Sequence, residues 1–209
     1  HKDGTGFKDT IGYKYESLIS HIQGLGNFGF SKITSETDLT KTVTDYSQDW
    51  MNRIHGMTTS QVISKRTSPS DLWKEVSNVS YINRSIQSES NSNIRYTYVD
   101  EQINQQKSLA GEIISTLSTT YKPDVEEGVF SLTSDFGNMK EVIVRTENGD
   151  TSEFYQVKTL SWFEEEDAGD WTIGRVTKTQ VEYTGTERDT KTKESSWSYV
   201  DSGVYKGYL

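Results

Sequence analysis

Short runs in which apolar and polar residues alternate dominate this chain, and a period of two is the pattern of half-buried β-strands. The clearest early run is Ile11–Tyr15, and Thr40–Tyr46 follows it with β-branched residues at most positions. Further runs of this kind predict strands at 60–66, 73–83, 94–99, 109–121, 140–146, 151–162, 171–183 and 191–200. We therefore predict an all-β fold of antiparallel hairpins in a meander over residues 1–209, with no internal domain boundary.

Three segments leave the pattern open to another interpretation. Ser68–Asp71 is a helix-capping signal before Leu72, Trp73 and Val76, so a short helix competes with the strand at 73–83, which we prefer. Residues 101–119 show partial helical spacing that Gly111 interrupts, and we predict a turn at 101–107 before the strand at 109–121. The polar stretch 86–93 is predicted to be an exposed loop, and 51–59 a turn.

The dipeptide Asn148-Gly149 between two apolar runs is the strongest local hairpin signal in the sequence. A two-residue type I′ loop there places Ile143 opposite Phe154 and Val142 opposite Tyr155. That register also sets Glu147 against Asp150, two like charges, which leaves a longer loop open.

The stretch Gly24–Phe30 spells G-x-G-x-x-G, the fingerprint of a dinucleotide site. That chemistry requires a helix directly after the glycines, and the following residues are rich in Thr and Ser with no helical spacing. We predict instead that these glycines mark bulges or bends in a sheet, where a Cβ would restrict the backbone.

Composition narrows the class of protein. The hydrophobic fraction of 32% suits a thin sheet better than a thick globular core. A net charge of −9 argues against nucleic acid and anionic membranes as partners, and no apolar run is long enough to span a bilayer. Cysteine is absent, which excludes disulfide scaffolds and thiol chemistry, and the three histidines have no ligand spacing.

The residues that carry catalytic or metal chemistry elsewhere give no site here, so we predict no catalytic residue, no cofactor and no metal. The acidic run Glu164–Asp167 lacks the alternation of a Ca²⁺ loop and is interpreted as part of a solvated hairpin tip at 164–170. No serine occupies a nucleophile elbow. A glycan-stacking face remains possible through five tryptophans, Trp50, Trp73, Trp162, Trp171 and Trp197, together with the tyrosines.

Several short motifs occur in an order that resembles the Rhs/YD-repeat family, whose members include the B component of insecticidal toxin complexes and a related plasmid virulence protein. The landmarks of this resemblance are Gly24, Gly26, Gly29, Phe30, Tyr46, Gln48, Asp49, Asp135, Gly137, Asn138, Trp171, Gly174, Arg175, Tyr199, Asp201 and Gly203. The chain departs from the family at Trp50–Arg53, where proline and glycine are usual, and in Tyr199-Val200-Asp201, which loosens the Tyr-Asp dipeptide. It also lacks the Asp-Pro-x-Gly segment that precedes self-cleavage in many members, so self-proteolysis is not expected.

The resemblance implies a non-enzymatic role: a curved or twisted sheet of YD-repeat type, part of a hollow shell that encloses a cytotoxic polypeptide before delivery. Its implied partners are the remaining shell of the same polypeptide and the enclosed toxin segment, and its implied location is secreted or at the cell surface. An isolated piece of such a wall has exposed edges and is expected to self-associate edge to edge or to protect its edges with charge. The alternative is a β-sandwich adhesion or carbohydrate-binding module that uses exposed Trp and Tyr.

Overall fold

A computed structural model of the chain describes residues 10–21, 26–88, 93–123, 129–130, 138–149, 153–164 and 175–199. These residues form twelve strands and no helix. The strands are β1 (Gly12–His21), β2 (Gly26–Glu36), β3 (Thr40–Tyr46), β4 (Thr58–Lys65), β5 (Lys74–Ser88), β6 (Arg95–Lys107), β7 (Ile113–Pro123), β8 (Val129–Phe130), β9 (Met139–Asn148), β10 (Phe154–Phe163), β11 (Val176–Gly185) and β12 (Arg188–Ser196).

All twelve strands belong to one sheet. Each strand pairs antiparallel with its neighbour in the chain, except that β9 follows β7 in the sheet and β8 runs parallel beside the end of β5. Within the described residues β1 and β12 each pair on one side only, so the sheet is open at both edges. The predicted all-β antiparallel meander is confirmed.

The individual strands match the alternation pattern where apolar residues are frequent. β3 has the predicted bounds, and β4 lies within two residues of its prediction. The segment at 73–83 is a strand, as preferred over a capped helix, and it continues to Ser88.

Two polar segments that we predicted to be loops are strands instead. Residues 86–88 of the predicted loop 86–93 belong to β5, and Ser88 is the most buried side chain described, at 1% exposure. The predicted turn at 101–107 is the second half of β6, while the turn itself lies at Ser108–Glu112, where the Ser108 N–H donates to Glu112 O. Polar residues are stable in these strands because they bond one another: Gln106 Nε2 donates to Asn104 Oδ1 at 2.9 Å and to Ser77 Oγ at 3.1 Å.

The hairpin at Asn148-Gly149 exists, but its loop is the longer alternative. Phe154 pairs with Glu147, so Ile143 lies opposite Lys158 and not opposite Phe154 as predicted. The shift along the partner strand is an even number of residues, so every side chain keeps its predicted face. Gly149 does not have a positive φ. Its N–H donates to Ile114 O at 2.9 Å, and a Cβ there would meet Ile113 O at 1.6 Å, so this glycine permits a close approach of β7.

The glycine-rich stretch leads into a strand and not into the helix that the dinucleotide fingerprint requires. β2 begins at Gly26, and the sequence pattern had not indicated that this strand continues to Glu36. Gly29 has a φ of 81° and pairs with Ile19 at a shift in the β1–β2 register. The predicted bulge is therefore confirmed at Gly29. Next to it, Phe30 packs on Tyr15 with 4.8 Å between ring centroids.

The sheet is a single layer, so few side chains are fully covered. Among the described residues the buried apolar side chains are Val79, at 7% exposure, and Pro123, with Thr44, Ser77 and Ser88 as buried polar ones. Stability therefore depends mainly on ladder hydrogen bonds and cross-strand side-chain pairs, each of which contributes roughly 0.2–1 kcal/mol.

Candidate functional surface: the two faces of the sheet

The register of the strands assigns side chains to one face of the sheet or the other. Residues paired across neighbouring strands point to the same side, and residues two apart in a strand do so as well. A row of paired residues can therefore be followed from one edge of the sheet to the other.

One face is free of charge along its central rows from β1 to β11, and we call it the uncharged face. Beyond these rows the same face carries Lys65, Lys74 and Lys140. Its central row is Tyr15, Ile33, Thr44, Gln61, Val79, Asn104, Leu117, Thr146, Tyr155 and Gly185. The row on one side of it is Tyr13, Ser35, Thr42, Ile63, Ser77, Gln106, Ser115 and Asn148. On the other side lie Tyr81, Gln102, Thr119, Val144, Val157 and Tyr183, followed by Tyr121, Val142, Thr159 and Val181. Where these rows reach the edge strand β12 they carry charge, at Arg188, Lys191 and Lys193.

The opposite face, which we call the charge-paired face, carries ion pairs from β1 to β12. They are Lys14–Glu16 at 2.8 Å, Lys32–Asp45 at 3.3 Å, Lys107–Glu75 at 2.7 Å, Lys122–Glu141 at 3.6 Å, Lys158–Glu141 at 2.9 Å, Arg145–Glu147 at 2.7 Å and Lys178–Glu194 at 3.1 Å. Both signs are interspersed, so no large region of one sign forms along these rows.

Glu141 is the centre of the best covered of these ion pairs. Its side chain is 19% exposed and lies between Lys158 and Lys122 of the two neighbouring strands. The hydrogen bond from Lys158 holds the pKa of the Glu141 carboxyl below its ordinary value, and Lys122 acts in the same direction while partial burial opposes both. The same hydrogen bond raises the pKa of Lys158. The three side chains join β7, β9 and β10 on the charge-paired face.

The landmark Tyr46–Asp49 forms the start of the tight connection between β3 and β4. The Ser47 N–H donates to Met57 O and the Gly56 N–H donates to Ser47 O, each at 2.8 Å. Asp49 then accepts from the backbone N–H of Asn52 at 3.0 Å and from its side-chain amide at 2.7 Å, and these bonds lower the pKa of Asp49. This landmark therefore has a structural role: it closes the turn.

A second contact brings together two landmarks that are far apart in the sequence. The Arg175 guanidinium bonds Glu164 at 3.2 Å and lies 5.3 Å from the ring centroid of Tyr199. The Tyr199 hydroxyl donates to Val176 O at 2.9 Å. Arg175 and Tyr199 thus fasten the chain after β12 to the start of β11, and Glu164 belongs to this contact and not to a free acidic tip.

The other predicted landmarks are placed only in part. Asn138 precedes β9, and Gly26, Gly29 and Phe30 lie in β2. The remaining ones fall outside the described residues: Gly24, Asp135, Gly137, Trp171, Gly174, Asp201 and Gly203, as does most of the acidic run.

The described tryptophans are distributed over separate parts of the sheet. The Arg66 guanidinium lies 4.1 Å from the ring centroid of Trp73, and Lys178 Nζ lies 4.9 Å from the ring centroid of Trp162. Trp50 belongs to the β3–β4 connection and Trp197 follows β12. In the part of the chain that can be searched, no group of three His, Cys, Asp or Glu residues is arranged to hold a metal ion, and no helix could cross a membrane.

Comparison with known proteins gives matches in structure alone. No family model matches the chain, and no curated protein matches it in sequence. Crystal structures of TcdB2-TccC3 match it, among them the form without the hypervariable C-terminal region, with a TM-score of 0.64 and 11% identity, over 86% of this chain and 12% of the other. The TcdB2-TccC3-Cdc42 and TcdB2-TccC3-TEV structures match with the same TM-score and coverage at 10% identity.

The chain shares its fold with these toxin-complex chains. The match agrees with the Rhs/YD-repeat resemblance, which the ordered sequence landmarks had indicated. The chain spans only about an eighth of the length of the matched chains.

Proposed function

We propose that this chain is a non-catalytic structural segment of a YD-repeat toxin shell that encloses or delivers a cytotoxic polypeptide. The observation that carries the proposal is the open, single-layer meander that matches 86% of this chain to 12% of a TcdB2-TccC3 chain. A wall of this kind needs hairpins added in sequence, and it needs two faces that both tolerate water. Both features are present in the sheet.

The two edges of the sheet differ, and the β1 edge supports continuation of the sheet into a larger wall. β1 presents exposed apolar side chains, with Tyr13 at 60%, Tyr15 at 52% and Leu18 at 55% exposure. β12 is exposed at every residue except Ser195 and reads Arg-Asp-Thr-Lys-Thr-Lys-Glu-Ser-Ser. Charge on an edge strand opposes unwanted pairing, while an apolar edge favours it. We propose that the β1 edge pairs with a further strand of the same shell and that, in an isolated piece, it mediates self-association.

The alternative of a β-sandwich adhesion module receives no support from a specific observation. The described residues form one sheet and not two packed sheets. The described tryptophans belong to separate elements of the sheet, and the rings of Trp73 and Trp162 already lie against the cations of Arg66 and Lys178. The proposed location, secreted or at the cell surface, follows from the proposed shell function.

Protease digestion of the complete polypeptide that carries this segment tests the proposal. If the wall encloses a polypeptide, that polypeptide should resist protease in the native particle. Its amides should nevertheless exchange freely with deuterium, which shows that the protection does not come from folding of the polypeptide itself. Once urea opens the wall, the polypeptide should be digested. Digestion at the same rate before and after opening would contradict enclosure. A matched digestion of the free cargo polypeptide gives the reference rate.

A further inference from the structure

The separation of charge between the two faces is the feature of this sheet that its fold alone does not require. A quarter of all residues are charged, yet the central rows of the uncharged face carry none from β1 to β11. Neighbouring residues in one strand show the difference directly. Val142 and Val144 lie on the uncharged face, while Glu141, Arg145 and Glu147 lie on the charge-paired face.

The uncharged face is not suited to dry packing against a second layer of protein. Its rows contain Thr, Ser, Asn and Gln side chains, which are costly to bury without hydrogen-bond partners. Several of them bond one another: Gln61 Nε2 donates to Thr44 Oγ1 at 3.3 Å and Ser77 Oγ donates to Asn104 Oδ1 at 3.3 Å. The middle of this face is therefore wet, hydrogen-bonding and neutral, and the charged side chains of the face lie at its margins.

The charge-paired face has the character of an outer protein surface. Lysine, arginine, aspartate and glutamate are interspersed there, which keeps a surface soluble and free of large single-sign fields. The two faces thus suit two different environments, bulk solvent on one side and a neutral contact on the other.

A neutral lining has a specific consequence for an unfolded polypeptide held against it. Ionic groups on a wall attract or repel a chain according to its charge, and an attracted chain is retained. Hydroxyl and amide groups interact weakly with a chain of either sign. We propose that the uncharged face lines the enclosed volume and lies against an unfolded cargo polypeptide, and that the charge-paired face is the outside of the wall. This inference rests on the proposed shell function.

Adjacent threonines in β7 provide a matched test of this orientation. Thr119 pairs with Gln102 and Val144 on the uncharged face, and Thr120 pairs with Glu101 and Ile143 on the charge-paired face. This chain contains no cysteine, so Thr119→Cys and Thr120→Cys each introduce one new thiol into the segment. Each variant of the complete polypeptide is treated with a 5-kDa polyethylene glycol maleimide, denatured, and treated with N-ethylmaleimide. The peptide that contains the new thiol is then quantified by mass spectrometry.

We expect the bulky reagent to modify the Thr120→Cys variant and to leave the Thr119→Cys variant for N-ethylmaleimide. The reverse pattern would overturn the orientation while leaving enclosure intact. Equal modification of both variants would contradict enclosure as well, and protection of both would overturn the assignment of the charge-paired face to the outside of the wall. Folding of each variant is checked by its circular dichroism spectrum and particle size.

A photo-crosslinking residue at the same two positions tests the occupant. In the purified complete polypeptide, p-benzoylphenylalanine at position 119 is expected to form crosslinks to the enclosed polypeptide, identified by mass spectrometry, and at position 120 to form none. Crosslinks from position 119 only to other shell strands would show that the uncharged face packs on the wall itself, which overturns the inference.

Discussion

Replacing Gly149 tests whether the structure or the local turn signal explains this residue. If a type I′ turn were the reason for glycine, asparagine would serve nearly as well, because asparagine tolerates a positive φ. In the structure any Cβ at this position meets Ile113 O at 1.6 Å and its carbonyl carbon at 2.4 Å. The backbone must then move, and the hydrogen bond from Gly149 N–H to Ile114 O is lost.

The expected cost follows from these two terms. Loss of the hydrogen bond is worth about 1 kcal/mol and forced overpacking about 1–3 kcal/mol, so Gly149→Ala and Gly149→Asn should each lower the free energy of unfolding by about 2–4 kcal/mol. The measurement is urea denaturation of the chain followed by tryptophan fluorescence, with the slope of the transition compared among variants.

Two control substitutions separate the possible causes. At Gly12 a Cβ meets only Glu36 O at 3.7 Å, an ordinary contact, so Gly12→Ala should change stability by less than about 0.5 kcal/mol. At Gly56, where φ is 77° and no atom lies within 4 Å of a Cβ, Gly56→Asn should be mild. A Gly149→Asn variant that is as stable as Gly56→Asn would refute the explanation by close approach.

Four further predictions concern the ion pairs, the turn, the end of the sheet and its edge. Because folding lowers the pKa of Glu141, its ionised carboxylate stabilises the fold above the unfolded pKa near 4.5, and this stabilisation is lost as pH falls below that value. A double-mutant cycle of Glu141→Gln and Lys158→Met should therefore give a coupling free energy of about 0.5–1 kcal/mol at pH 7 that disappears in acid. The control Glu16→Gln should leave the free energy of unfolding unchanged. Asp49→Ala should lower the free energy of unfolding by about 1 kcal/mol and Asp49→Asn by less, because the amide oxygen still accepts from the Asn52 N–H; equal losses would argue against this role. Tyr199→Phe removes a hydrogen bond of about 1 kcal/mol to Val176 O, so it should accelerate amide hydrogen exchange about fivefold at the start of β11 and not in β3. Uniform acceleration throughout the sheet would contradict a local contact. Leu18→Lys at the β1 edge should reduce self-association measured by sedimentation velocity, whereas Thr192→Lys at the β12 edge should not. The opposite ranking would mean that β12 mediates self-association.

The sequence predicted strands correctly where apolar residues alternate, and it failed in two polar segments, 86–88 and 101–107. Thr40–Tyr46 was located to the residue, whereas Glu101–Lys107 was interpreted as a turn because it carries only one apolar side chain. In a single-layer sheet both faces are wet, so burial does not select apolar residues and polar strands are stable. The same reasoning explains why 86–88 was assigned to a loop.

Register was harder to predict than strand existence. Alternation fixed which side chains share a face in β9 and β10, and those faces are correct. It could not choose between loops whose lengths differ by an even number of residues, because both keep the faces. The choice depends on β7, which packs against Gly149 from a distant part of the sequence.

The sorting of charge by face was present in the sequence and was not recognised there. Glu141, Arg145 and Glu147 stand two or four residues apart with uncharged residues between them, and Lys14 and Glu16 show the same spacing. A period of two in charge, and not only in hydrophobicity, is the signal that would have revealed it. The contact of Arg175 with Tyr199 had no such signal, because their approach depends on the pairing of β11 with β12.

A cryo-electron microscopy map of the complete polypeptide that contains this segment tests the shell proposal most directly. The proposal predicts a hollow wall in which β1 hydrogen-bonds to a further strand, so that the sheet continues beyond this edge of the segment. A compact, solid domain in which the β1 edge faces solvent would contradict it.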